Sequence, residues 1–177
     1  IEEDECILKK FPSLKKGEFY FTLGSLSKRK NLAWICKYAK NHPDETFAVS
    51  GKAISGLVPE ELHDLKTLKN VTLLGYVSDG EVKSLMKNCK AFVFPSYYEG
   101  FGIPPLEALS VGAKIIVSNT ASLPEIYADT ALYISPDDTD VQLKKLLEGK
   151  TAAPDEILKK YTYGAAAQKL LETLRNS

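Results

Sequence analysis

The run from Ala91 to Val117 limits the chain to very few folds. Ala91-Phe92-Val93-Phe94 is a short, wholly apolar stretch of the kind buried on both faces of a parallel sheet, and Pro95 ends it because proline cannot donate to a ladder. A loop follows, with Gly100 and Gly102 free to take backbone angles closed to other residues. Pro104 and Pro105 then suit the first turn of a helix, where a missing N–H costs nothing. The pattern predicts a helix starting beside Ile103 and running to Val111, with Gly112 as the left-handed residue after it. A second apolar strand, Lys114-Ile115-Ile116-Val117, comes next. This strand, loop, helix, strand unit sets the backbone N–H groups of Gly102 and Ile103, and the positive end of a helix dipole, at the carboxyl end of a strand. Such an arrangement binds anions. Glu99 and Glu107 flank it with seven residues between them. An acid in the first helical turn is worth about 0.3–1 kcal/mol against the dipole, so Glu107 alone needs no functional explanation. The arrangement says more: a phosphate at the helix start leaves Glu107 about one turn away, ~5 Å, within reach of sugar hydroxyls that a carboxylate accepts strongly.

The run Glu99-Gly-Phe-Gly-Ile-Pro-Pro-Leu-Glu107 resembles the E-x7-E motif of retaining GT-B glycosyltransferases, a family that includes many bacterial mannosyl- and glucosyltransferases. Bare E-x7-E carries little information; the glycines and prolines inside it make the match fairly specific. The resemblance implies that Glu99 contacts hydroxyls of a donor sugar, that Glu107 binds the ribose of its nucleotide, and that the Gly102 and Ile103 amides hold the distal phosphate. It also implies a two-domain enzyme, of which this chain is the donor-binding half and an N-terminal domain the acceptor half. Alone, the chain is expected to transfer nothing. The likeness spans residues 18 to 136.

The rest of the chain alternates strand and helix. Residues 1–17, acidic and then lysine-rich, read as a linker. Phe19–Leu23 is a strand leading into Gly24 and the cations Lys28, Arg29 and Lys30, before a helix with Leu32, Ile35, Cys36 and Ala39 on one face and His42-Pro43 at its end. Basic residues ahead of a helix usually form a solvated face. Here they follow the first strand, at the sheet end where doubly wound folds bind ligands. In the resembled family this is the phosphate-binding loop. Gly24 and Lys30 match it directly; Ser25 stands where many members carry arginine, and Arg29-Lys30-Asn31 matches a subgroup, so the pyrophosphate falls to Arg29 and Lys30. Thr46–Ser50 is a strand ending before Lys52, a lysine more typical of a solvated loop, and Pro59-Glu60-Glu61-Leu62 opens a helix. Val71–Leu74 is a strand, and Ser78-Asp79-Gly80-Glu81 is a capping box before a core face of Val82, Leu85, Met86 and Cys89. By the resemblance, backbone groups near Val77 meet the nucleobase. A loop at Asn119–Glu125, a strand at Ala131–Ile134 and helical patterns at Val141–Leu147 and Ala165–Leu174 complete the chain. The expected fold is α/β: a Rossmann-like, doubly wound parallel sheet over residues 18–150, one half of a GT-B fold, with residues 151–177 as a helical tail packing back on it or on the N-terminal domain.

With 23 basic and 23 acidic residues, no global field recruits nucleic acid or an anionic membrane. No apolar run approaches the ~18 residues of a transmembrane segment. Cys6, Cys36 and Cys89 are odd in number and widely spaced, which reads as reduced thiols in a cytoplasmic protein, peripheral to the inner membrane only through parts outside this sequence. A sequence beginning at Ile1 is consistent with an excised piece of a longer chain. Asp138-Thr139-Asp140 spells a metal-chelating D-x-D, but its place after Pro136 suits a helix cap better. His42 and His63 suggest neither zinc nor a triad. No metal and no cofactor are expected; the nucleoside diphosphate sugar is the substrate, with Glu99, Arg29 and Lys30 as the catalytic set. The alternative is a non-catalytic nucleotide-binding module, since fold alone does not fix function.

Overall fold

A computed structural model describes residues 6–24, 27–51 and 64–175. Six strands, β1 Phe19–Leu23, β2 Thr46–Ser50, β3 Val71–Gly75, β4 Ala91–Phe94, β5 Ile115–Ser118 and β6 Leu132–Ile134, form one sheet in the order β3-β2-β1-β4-β5-β6. Every pairing is parallel. The helices are α1 Cys6–Lys10, α2 Leu32–Asn41, α3 Asp79–Asn88, α4 Ile103–Ser110, α5 Leu123–Tyr127, α6 Leu143–Leu146, α7 Asp155–Lys160 and α8 Tyr163–Arg175. The expected Rossmann-like, doubly wound sheet is the observed one.

The period-2 geometry of a strand sorts each buried run onto two faces. Phe19 and Phe21 of β1, Phe92 and Phe94 of β4, and Ile115 and Val117 of β5 enter the core shared with α3, α4 and α5. Tyr20, Phe47, Val93 and Ile116 enter the opposite core, under α2 and α6. Wholly apolar strands are therefore required, because both sides are covered. The predicted face of α2 is buried, and Trp34 and Tyr38 are buried with it. The Trp34 and Tyr38 rings stack at 5.1 Å, and the indole N–H donates to the Ser135 and Asp138 carbonyls at 3.1 and 2.7 Å. The capping box forms as read: Ser78 accepts from the Glu81 amide, and Glu81 accepts from the Ser78 amide at 2.8 Å.

Residues 6–17 are not the bare linker the composition suggested. Ile7 and Leu14 are 1% and 2% exposed in the first core, and the Lys10 ammonium lies 2.6 Å from the Glu81 carboxylate. Two apolar side chains in a lysine-rich stretch carry no period to detect, yet they close one side of the sheet. At the far end, α7 packs on α4 through Ile157, whereas α8 leaves Leu170, Leu171 and Leu174 exposed. The helix expected at 59–62, with Lys52 and His63, lies outside the described residues.

Strand order reverses between β1 and β4. The loops that follow them lie at the carboxyl ends of the strands, where open α/β sheets bind ligands.

Candidate functional site

The loop after β1 ends in a tight turn, Lys28–Lys30, closed by Asn31 in the left-handed conformation at φ 53°. Asparagine tolerates that region better than most residues. Its 3% exposed side chain donates to the Pro95 carbonyl at 2.9 Å and to the Pro136 carbonyl at 2.8 Å, bolting the turn to the loops after β4 and β6. The Tyr97 amide donates to the Arg29 carbonyl at 3.0 Å, and the Arg29 guanidinium to the Tyr98 carbonyl at 2.9 Å. The cation turn and the glycine loop are thus one unit. The Lys30 stem lies against Gly24, where an added Cβ would stand 3.2 Å from its Cγ and Cδ. A side chain at 24 would push against the aliphatic stem, so the glycine serves the lysine's approach. The Lys30 ammonium sits 4.5 Å from the Phe94 ring centroid, over the end of β4.

Glu99 reaches into this unit. One carboxylate oxygen is 2.8 Å from Lys30 Nζ and the other 2.6 Å from Arg29 Nη1. Burial pushes the carboxyl up, and the hydrogen bonds from Lys30 and Arg29 more than offset this, holding it below the usual carboxylate range. The motif reading had set the acid on the sugar and the two cations on the pyrophosphate as separate tasks. In the folded chain the three side chains form one cluster, two cations around one anion, with a net positive charge left over.

The α4 start follows the sequence closely. Gly102 is the N-cap, left-handed at φ 85°, and a Cβ there would stand 2.7 Å from Leu123 Cδ2, so conformation and space both demand glycine. Gly112 closes the helix at φ 80°. Pro104 and Pro105 carry no N–H, which leaves Gly102 and Ile103 as the open amides of this terminus. Glu107 departs from expectation: with α4 beginning at Ile103 it opens the second turn and is not among first-turn acids. Its carboxyl is raised above the usual range, first by burial and then by the charge of Asp79.

Gly24, Val77 and Glu107, assigned from separate parts of the sequence, line one cavity of about 610 Å³. Leu23, Val82 and Met86 give it apolar walls, and Ser50, Asp79 and Lys83 add polar groups. Tyr76 stands 71% exposed among the lining residues. These last residues were missed. Asp79 had been absorbed into the capping box, and Tyr76 lies in the Gly75-Tyr76-Val77 turn that the resemblance assigns to the base through backbone groups, which gives its side chain no part. Arg29, Lys30, Glu99 and Gly102 do not line the cavity; they adjoin it where Lys30 meets Gly24. The Ile103 side chain, 52% exposed, instead lines a separate groove of about 390 Å³ shared with Tyr161 and the first turns of α8.

Asp138 does not cap a helix, since α6 starts at Leu143; its carboxylate accepts from the Asp140 amide at 2.7 Å in a local turn. His42 stacks on Tyr38 at 4.0 Å at the end of α2. Among the described residues no group of three or more His, Cys, Asp or Glu side chains could hold a metal ion, and no helix is long and apolar enough to cross a membrane.

The family model for glycosyl transferases group 1 matches residues 4–163. O-antigen chain mannosyltransferase B of Escherichia coli is 33% identical over 153 residues, 81% of this chain and 40% of that protein. O-antigen chain mannosyltransferase RfbU of Salmonella typhimurium is 32% identical over 141 residues, 78% of this chain and 39% of that protein. The chain thus spans about two fifths of the length of these relatives. The sucrose-phosphate synthase of Thermosynechococcus elongatus superposes with TM-score 0.77 at 19% identity, over 99% of this chain and 49% of that one. The fold is therefore that of one half of a GT-B glycosyltransferase, and the chain belongs to the group 1 glycosyltransferase family.

Proposed function

We propose that this chain binds the nucleoside diphosphate sugar donor of a retaining hexosyltransferase, which passes the hexose to a glycan or lipid-linked acceptor held by an N-terminal domain. The observation that carries this reading is adjacency. The cavity lined by Val77, Glu107 and Gly24 abuts, where Gly24 meets the Lys30 stem, the Arg29–Lys30–Glu99 cluster. A nucleoside fits the first part, a diphosphate the second, a sugar the space by Glu99. The base packs near Val77, and the raised Glu107 carboxylate accepts from ribose hydroxyls, which favours its charged form. Arg29 and Lys30 have five and three donors, enough to hold Glu99 and a diphosphate together. As the glycosidic bond breaks, negative charge gathers on the departing diphosphate. The two cations and the Gly102 and Ile103 amides face it without reorganising, and no metal is needed for that task. The names of the relatives, mannosyltransferases and a galactosyltransferase, support a hexose.

Thermal unfolding with uridine and guanosine diphosphate sugars tests the reading. At ~100 times the dissociation constant the donor should stabilise the chain by roughly 2.7 kcal/mol, with chelator present, and should bind more tightly than its own diphosphate. No shift from any nucleotide at millimolar concentration would overturn it.

A further inference from the structure

Tyr127 lies on α5, outside the motif and outside the cavity, and is fully buried. Its hydroxyl donates to the Gly102 carbonyl. That contact fixes a peptide plane. Across a trans peptide the carbonyl of one residue and the N–H of the next point in opposite directions, and this chain's described residues contain no cis peptide. Holding the Gly102 oxygen toward the buried Tyr127 therefore aims the Ile103 N–H the opposite way, out of that core. The same short helix makes two further contacts with the loop. Ser122 Oγ donates to the Glu99 carbonyl at 2.8 Å, and Leu123 Cδ2 fills the space where a Gly102 side chain would be.

On the donor reading given above, we infer that Tyr127 is a positioning residue: its hydroxyl sets the direction of the Ile103 amide and so preorganises the phosphate end of the site. Nothing in the sequence around Tyr127 suggests this, because the contact spans 25 residues and the tyrosine reads as core.

Tyr127→Phe keeps the ring in the core and removes only the hydroxyl. Calorimetry on the wild-type chain and on this variant, with guanosine and uridine and with their diphosphates, separates the outcomes. In the variant, diphosphate affinity should fall about tenfold while nucleoside affinity stays unchanged. The amide resonance of Ile103, which shifts on titrating inorganic pyrophosphate into the wild type, should respond little in Tyr127→Phe. Equal loss for nucleoside and diphosphate, or a wild-type pyrophosphate response preserved in the variant, overturns the inference and leaves a tyrosine that only fills the core. A wild-type chain that binds neither nucleosides nor diphosphates sinks the donor reading instead. Ser122→Ala, which removes a contact to the Glu99 backbone and none to Gly102, should leave the Ile103 response intact; a comparable loss there would mean that any loosening of α5 has the same effect.

Discussion

Glu99 and Glu107 are the same residue type in one short motif, and the fold treats them oppositely. Glu99 is 7% exposed, held between Arg29 and Lys30 with its carboxyl below the usual range. Glu107 is exposed at the cavity, and among the described residues no cation pairs with it; burial of its carboxyl and the charge of Asp79 raise it above that range. The first charge is compensated inside the chain. The second is not, among the described residues. Burial alone would raise both, so the difference comes from the cation turn, which the strand order brings to one acid and not to the other.

Removing each charge should therefore have unequal effects on the empty protein. Glu99→Ala leaves Lys30, whose side chain is 13% exposed, without its anion, and should cost about 2–3 kcal/mol in urea unfolding, less than a fully buried pair because Arg29 is 46% exposed. Glu107→Ala should leave stability nearly unchanged. Similar losses at both positions would break the comparison.

Ligand affinity sharpens it from the cation side. Lys30→Ala should weaken diphosphate binding by ~1.5–3 kcal/mol, roughly tenfold to 150-fold, whereas Lys28→Ala, on the same turn but outside the Glu99 cluster, should lose much less. Equal small losses would reduce the turn to a diffuse solvated patch. Glu107→Gln keeps the shape and should cost about 1–2 kcal/mol for a nucleoside and its diphosphate alike, because ribose is common to both.

The smallest effect is the dependence on pH. A lowered carboxyl contributes stability that is present above the unfolded value, near 4.5, and is lost as pH falls through the lower folded value; Glu99 behaves this way. A raised carboxyl does the reverse. As pH falls from above the folded value of Glu107 toward 4.5, the native chain takes up its proton first and gains stability. Ribose binding should favour the charged form, so nucleoside affinity should drop over that same interval. Calorimetry between pH 7 and 4.5 on the wild type and Glu107→Gln checks this: the drop should vanish in the variant.

Much of the architecture was legible because the chemistry that ends and starts elements is local. Pro95 stops β4, Pro104 and Pro105 start α4, Gly112 closes it, and Ser78 with Glu81 caps α3 within four residues of chain. Buried parallel strands announce themselves as short apolar runs, and all six lie within a residue of their predicted bounds, with β1, β2 and β4 coincident. Glu107 falls in the second turn although the helix starts at Ile103 as predicted, because the first turn of about 3.6 residues is complete by Leu106.

Sequence alone determined the strand and helix alternation, the wholly apolar strands that a twice-covered sheet requires, and the glycines at 102 and 112, because each rests on contacts within one turn or one strand. Tertiary structure decided what the polar residues do. Glu99 meets Lys30 across 69 positions, Asn31 reaches Pro136 across 105, and Tyr127 turns the Gly102 peptide across 25. No local pattern encodes those separations. They exist because parallel strands deliver the loops after β1, β4 and β6 to the same end of the sheet, where charge and hydrogen-bond partners, rather than periodicity, settle which side chains pair.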